Sequence, residues 1–359
     1  MIPILPRYIF KRFMSIFSLC LLGIIIIFVV VDMIENLDSF IDNNVPWNIT
    51  TIYYIYFVPY IIIIILPVAT LMTTVFSIGL MARHNEIVAL KALGYSFYRI
   101  MCILLIIGLL LSIGSFLLAE TVAVHTNRQI ENIKNGYLSK RGSGSKQIIR
   151  DVIMQDPPNK IVSIESYNFD RQIAYNVKIE TYLNGILVSK IDSRLMKWDG
   201  ENWIIYNGYE RKFEKNQEKA EPITSKRTVK LNFTPHQLYL SQIDPEQMSI
   251  NELLWFVDRV KKSGGEVHKW HTQLHIRFSY PLSNVIIIVF SIPFVYNRRK
   301  KSLVVGFGIS LAICFVYFGL VRIGQTMGEK GELNPFLAAW MGNLIMGAGG
   351  IMNLIKIRK

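Results

Sequence analysis

Two hydropathy regimes divide this chain. In six stretches the apolar residues are unbroken by any Asp, Glu, Lys or Arg: 13–31, 51–82, 100–119, 278–297, 302–321 and 333–355. A helix needs about 20 apolar residues to cross a bilayer core, so each stretch predicts a membrane-spanning helix. The second would reach roughly 48 Å at 1.5 Å per residue. It must therefore tilt, break at Pro59 or Pro67, or begin in the interface. The first ends Val29-Val30-Val31-Asp32 with no small-residue cleavage site, so it reads as a retained anchor rather than a leader.

Between the third and fourth stretches the period changes to two. Val162-Ser163-Ile164-Glu165, Ala174-Tyr175-Asn176-Val177-Lys178-Ile179-Glu180 and Val229-Lys230-Leu231-Asn232-Phe233 alternate apolar with polar. Turn clusters at Asp156-Pro157-Pro158-Asn159, Asn184-Gly185 and Asp199-Gly200 separate such runs. This predicts an antiparallel sheet with one buried face, as a sandwich or a partly open roll, over 147–233. As a bare pattern it fits a scaffold and a ligand conduit equally. Ile164, Val177 and Ile179 are the candidate inward positions. The period then becomes helical. Ser249-Ile250-Asn251-Glu252 is a capping box, Leu253, Leu254, Phe256, Val257 and Val260 follow, and Gly264-Gly265 stops the run. A further helix is expected from Glu266 into the fourth span. It carries His268, His271 and His275 on one face. That spacing suits zinc, but no Cys or close carboxylate cluster completes a site, so they read as interfacial histidines without a metal. The architecture is thus a polytopic α-helical membrane protein, three helices plus three, with an extracytoplasmic antiparallel jellyroll-like β-domain between. The boundaries are 1–122, 123–274 and 275–359.

Composition agrees: 359 residues, 51% hydrophobic, 18% charged. The net charge of +13 invites a nucleic-acid reading, but its placement excludes one. Thirteen Lys and Arg lie before span 1, between spans 2 and 3, between spans 4 and 5 and after span 6, whereas the opposite short loops hold only Arg322 and Lys330. The positive-inside rule puts both termini in the cytoplasm and the β-domain outside it. Cys20, Cys102 and Cys314 all lie within apolar stretches, so no disulfide framework is expected. There is no P-loop, H-E-x-x-H or G-x-S-x-G motif. With so few ionisable groups inside the spans, energy for transport would come from another chain.

The segment Arg83-His84-Asn85-Glu86-Ile87-Val88-Ala89-Leu90-Lys91-Ala92-Leu93-Gly94 predicts a short helix between spans 2 and 3. Ile87, Leu90 and Leu93 share a face, with Arg83 and Glu86 one turn apart beside it. Two readings stand: a docking element for a cytoplasmic motor, or a solvated loop helix with a weak Arg–Glu pair.

R-x-x-E-I-V-A-L-K-A-L-G-Y-S over 83–96 resembles the coupling-helix region of the lipopolysaccharide-export permeases, the LptF/LptG (YjgP/YjgQ) family. Leu5-Pro6-Arg7-Tyr8-Ile9, Phe28-Val29-Val30-Val31-Asp32, Phe233-Thr234-Pro235, Asp244-Pro245, Met248 to Leu253, Ser263-Gly264 and Leu274-His275-x-Arg277-x-x-x-Pro281-Leu282 are similar to it too. The Asp-Pro and Ser-Gly features look more G-type than F-type. The resemblance implies a permease subunit, not an enzyme, in the bacterial inner membrane. It would pair with a paralogous LptF-type subunit on an LptB-type ATPase dimer, which binds ATP and Mg²⁺ while this chain holds no cofactor. The pair would extract lipopolysaccharide and pass it to an LptC-type periplasmic protein. Arg83, Glu86, Leu90, Lys91 and Gly94 would form the coupling site, with Glu86 facing a base on the ATPase. The alternatives are a force-transmitting or assembly protein with a periplasmic β-domain that conducts no lipid.

One departure matters. Family members often place bases at the outer end of span 1, where this chain has Asp32, Glu35, Asp38 and Asp42. Such acids either recruit divalent cations or mark a solvated loop, the reading adopted here. Contact with lipid A phosphates then falls on Arg322, Lys330, Arg128 or Lys134, or on the partner subunit. Arg322 closes span 5 on the outer side, as a phosphate clamp or as an interfacial anchor.

Overall fold

The computed structural model describes residues 4–138, 148–156, 159–169, 171–183, 185–214, 217–241, 243–262, 266–296 and 303–355. In chain order the helices are α1 (Ile4–Asp42), α2 (Trp47–Arg83), α3 (Glu86–Ala92), α4 (Phe97–Leu118) and α5 (Val124–Ile133). The strands follow: β1 (Ile148–Asp156), β2 (Lys160–Asn168), β3 (Ile173–Leu183), β4 (Ile186–Trp198), β5 (Trp203–Glu214), β6 (Gln217–Ile223) and β7 (Arg227–Val229). Then come α6 (Pro235–Leu240), α7 (Ile250–Lys262), α8 (His268–Tyr296), α9 (Leu303–Glu329) and α10 (Pro335–Ile355). Two compact units result, Met1–Ile133 with His268–Lys359, and Lys134–Val267. A π-helical turn, Ala119–Ala123, carries α4 into α5, and a second, Lys134–Leu138, prolongs it.

Among the described residues, six helical segments are long and apolar enough to cross a membrane. Two differ from the expected outline. α1 does not stop at Val31: it runs on to Asp42, so Asp32, Glu35, Asp38 and Asp42 are helical rather than in a loop. Nor does α2 break: Pro59 and Pro67 both lie inside one continuous helix. Pro67 withdraws the amide that would serve the carbonyl of Ile63. The adjacent Ile64 carbonyl accepts the Tyr280 hydroxyl at 2.8 Å, which ties α8 to this turn.

Lipid tails are as apolar as leucine, so spans associate through close packing and polar contacts. α10 buries Ala338, Ala339, Gly342, Asn343, Met346, Gly347 and Gly350. At Gly350 a Cβ would come within 2.9 Å of Phe290 Cα, so only glycine fits against α8 there. Asn343 Nδ2 donates to the Ser279 carbonyl at 2.6 Å, and its Oδ1 accepts from Tyr317 at 3.1 Å, which joins α8, α9 and α10. Thr70 donates to Asn284 at 3.1 Å between α2 and α8.

The second unit is a meander: β1 to β6 pair each with the next, antiparallel throughout, and β7 joins β5. β6 lies along 208–214 of β5 and β7 along 203–205. The β1–β2, β3–β4 and β4–β5 connections fall at the three turn clusters read from sequence; Pro157, Pro158 and Asn184 themselves lie outside the described residues. One face carries the core. Val152, Ile164 and Val177 are aligned across β1, β2 and β3, and Met154, Val162, Ile179 and Ile191 form the next row. Trp203, Phe233 and Leu238 close over them, the Trp203 indole donating to the Phe233 carbonyl at 2.7 Å. α7 begins with the expected box: the Ser249 amide donates to Glu252 at 2.8 Å, and the Glu252 amide to Ser249 Oγ at 3.4 Å. Gly264 and Gly265, read as its stop, lie outside the described residues.

Candidate functional site

α3 is a seven-residue helix between two left-handed residues, Asn85 (φ 56°) before it and Gly94 (φ 80°) after it. Gly94 donates to the Lys91 carbonyl at 2.9 Å and Tyr95 to that of Leu90 at 2.9 Å. That double closure needs a left-handed residue, which glycine supplies without a Cβ clash. Ile87 and Leu90 turn inward onto Ile9 and Phe13 of α1, Met81 of α2 and Ile100 of α4. Leu93 does not join them. It lies past the helix end and is 74% exposed; Val88 is 59% exposed. Lys91 and Arg83, the last residue of α2, are also exposed.

Glu86, expected to face a base on the ATPase, already has partners within this chain, and Arg83 is not the base it pairs with. Arg12 Nη1 of α1 lies 2.7 and 2.6 Å from its two carboxylate oxygens. The Tyr8 hydroxyl donates to Oε2 at 2.9 Å and accepts from Arg12 at 2.5 Å. The physical reason is proximity: α1 enters the bundle beside α3, and a carboxylate there takes the nearest guanidinium. Sequence inspection missed Arg12 because it stands 74 residues away.

At the other end of the same bundle stands a second pair between residues distant in sequence, also not legible there. Arg277 of α8 reaches Glu120, in the turn after α4, at 2.6 Å, with side-chain exposures of 11% and 17%. Each residue lies just beyond an apolar stretch, which is why it escaped notice.

The lipid-contact candidates are scattered. Arg322 does not close its helix: α9 continues seven residues to Glu329. It is exposed, and it donates to Gln325 Oε1 at 2.8 Å. Gln325 and Gln273 both donate to Glu329, at 2.9 and 2.8 Å. Lys330 is exposed just after that helix, Arg128 stands on α5, and Lys134 begins the following π turn. Ile164, Val177 and Ile179 do point inward, each 1% exposed. They are enclosed by their own domain rather than lining an open side, because Trp203, Phe233 and Leu238 pack over the sheet. A cavity of about 220 Å³ beside Glu210 and 221–227 is polar and holds the Arg227–Glu210 ion pair, so it is no acyl groove.

The histidines of α8 divide: His275 stands edge-on to Phe336, and His268 lies against Gly331. Among the described residues no three His, Cys, Asp or Glu are grouped to hold a metal ion. One buried ion pair in the β-domain was not anticipated. Asp156, 1% exposed at the end of β1, accepts from the Asn232 amide at 2.9 Å and from Arg259 of α7 at 2.8 Å. Arg259 also donates to the Asn232 carbonyl. Burial pulls this guanidinium below arginine's usual range, against the opposing pull of Asp156.

Comparison with known proteins supplies the remaining context. The lipopolysaccharide export system permease LptG of Escherichia coli strain K12 is 21% identical over 340 residues, covering 94% of this chain and 93% of the relative. The LptG of Haemophilus influenzae strain Rd is 21% identical over 340 residues, 91% of each. The family profile described as lipopolysaccharide export system permease LptF/LptG matches residues 7–356. With six spans, a β-domain between the third and fourth, and a match along nearly its whole length, the chain belongs to the LptF/LptG family of lipopolysaccharide export permeases.

Proposed function

We propose that this chain is the LptG-type transmembrane subunit of an ABC transporter that takes lipopolysaccharide from the inner membrane and hands it to periplasmic carriers. It is a multi-pass protein of the inner membrane and a permease subunit rather than an enzyme. Both termini lie in the cytoplasm and the β-domain in the periplasm. A separate LptB-type ATPase dimer, with its ATP and Mg²⁺, docks on α3. A paralogous LptF-type subunit completes the membrane part, and an LptC-type protein receives the lipid.

The observation that carries this reading is α3. It buries Ile87 in the bundle and leaves Val88 and Leu93 exposed at the bundle end that carries Arg12 and Arg83. An apolar surface between two spans, away from the lipid-facing stretches, is what a motor would cover. The Arg12–Glu86 pair ties the start of α1 to α3, and the Arg277–Glu120 pair ties the start of α8 to the end of α4 at the opposite end of the spans, which supports the sidedness proposed from the charge distribution. α1 and α9 are the spans least covered by their own chain. They offer faces to lipid and to the second subunit.

Purification in mild detergent followed by mass spectrometry tests the reading. An ATPase, a paralogous subunit and lipopolysaccharide should be retained; absence of the ATPase would remove it. The enclosed positions Ile164, Val177 and Ile179 favour a second reading, transmission of force without conduction of lipid. A photo-crosslinker at Ile164 or Val177 decides. Capture of lipopolysaccharide only with ATP means that the sheet opens and conducts; no capture at either site means that it is a scaffold.

A further inference from the structure

We propose that Arg12 and Tyr8 make α1 the lever through which motion of the motor-docking helix α3 enters the membrane, with Glu86 as the joint. This rests on the reading of α3 as the docking helix. Three observations meet here. First, α3 is a short rigid rod between left-handed residues at 85 and 94, so it moves as a unit. Second, the polar joint to α1 is strong. One guanidinium nitrogen engages both oxygens of Glu86 within 2.7 Å, Tyr8 adds a third bond, and Arg12 is only 17% exposed. A charge-assisted pair shielded from water is far less screened than a surface pair.

Third, α1 is built to carry a displacement. It is one helix of 39 residues, about 58 Å long at 1.5 Å per residue. Its buried residues are Ile9, Phe13 and Phe17 near the joint and Phe40 near the far end. Phe40 packs edge-on against Tyr53 of α2, centroids 5.5 Å apart. Leu19, Leu22, Ile26 and Ile27 between them are 59–75% exposed. Leu21 and Ile24 keep the opposite face on the bundle, so α1 is a continuous rod, buried most at its two ends, that passes a push from α3 to its outer end, where Glu35, Asp38 and Asp42 lie. Arg12 is thus a positioning residue: it acts through Glu86 and touches neither nucleotide nor lipid.

The test uses the whole complex, with paralogous subunit and ATPase, in liposomes containing lipopolysaccharide. The readouts are ATPase retained, ATP hydrolysed, and lipopolysaccharide released per ATP. Arg12→Gln should keep the ATPase bound and hydrolysing, while release per ATP falls at least about fivefold, the lower end of ordinary coupling between sites. The exchange Arg12→Glu with Glu86→Arg restores the pair in reverse and should recover most of the loss; Tyr8→Phe should give a smaller one. Unchanged release per ATP in Arg12→Gln would overturn the proposal and leave the transporter reading intact. So would an exchange variant no better than the singles. Loss of the ATPase from Arg12→Gln would also overturn it, since Arg12 would then merely seat the docking surface. Wild-type complex that retains no ATPase or releases no lipid fails at the earlier step, the function itself.

Discussion

Asp156 and Arg259 set the terms at the scale of single residues. A buried carboxylate is tolerable because a guanidinium and a main-chain amide both point at one of its oxygens. Removing one partner leaves a charge stranded, which costs about 3–5 kcal/mol, whereas replacing both with apolar groups of similar size is often near neutral. Arg259→Met should therefore lower the unfolding midpoint of the purified chain by several degrees, and Asp156→Leu with Arg259→Met should recover most of it. A single variant that unfolds like the parent would show that the pair is solvated in solution. Neither partner was readable from sequence. Asp156 belongs to a turn cluster and Arg259 to the polar face of a helix, and 103 positions separate them. What was readable was local: the Ser249–Glu252 box depends on neighbours within a few positions and forms as expected, and the short helix between spans 2 and 3 forms over Glu86–Ala92.

Elements were legible where one period ran without interruption. Each of the six apolar stretches is helical over nearly all of its described residues, and the inward set Ile164, Val177 and Ile179 follows from strict alternation, since a slip of one residue would turn each to the other face. The outline failed at ends. Acidic residues after Val31 end an apolar stretch but not a helix, because 32–42 contain no Gly or Pro and the poorer formers among them, Asn and Asp, cost at most about 0.7 kcal/mol each. In α3 the three-residue spacing put Leu93 with Ile87 and Leu90, but at 3.6 residues per turn each such step drifts about 60°, which sets Leu93 about 120° round from Ile87 and leaves it exposed. That error carries a prediction. If Val88 and Leu93 are the apolar contacts of the motor, burying either contributes about 1.5–3 kcal/mol. Val88→Glu or Leu93→Glu should then reduce ATPase co-purification about tenfold or more while the chain still inserts. Ile87→Glu should instead damage the bundle and lower the yield of folded chain. Equal ATPase recovery from Val88→Glu, Leu93→Glu and parent would take α3's exposed side out of the interface.

At the scale of the whole molecule the basic residues of the short loops divide unevenly between the two sides, and on the proposed topology and function the few outside the cytoplasm are the candidates for capture of an anionic lipid. Arg322 is the basic residue on an outer stretch of α9, exposed and hydrogen-bonded through one nitrogen to Gln325, a neutral acceptor that a phosphate outcompetes. Its place seven residues before the helix end puts it nearer the apolar stretch than the helix terminus, where a long stem lies along lipid and the head stays at headgroup depth. An anchor needs only a positive charge at that depth, and Arg322→Lys preserves one. A phosphate clamp needs two parallel N–H donors in a plane, which lysine lacks. The two roles thus separate on one substitution. As a clamp, Arg322→Lys should lose much of the lipopolysaccharide that co-purifies at matched protein and salt, and Arg322→Glu nearly all. As an anchor, Lys should be neutral. Retention unchanged in Arg322→Glu would leave capture to Lys330, Arg128 and Lys134 or to the second subunit. The acidic outer end of α1 makes that last outcome chemically coherent, since its carboxylates repel the same phosphates that a partner's bases would hold.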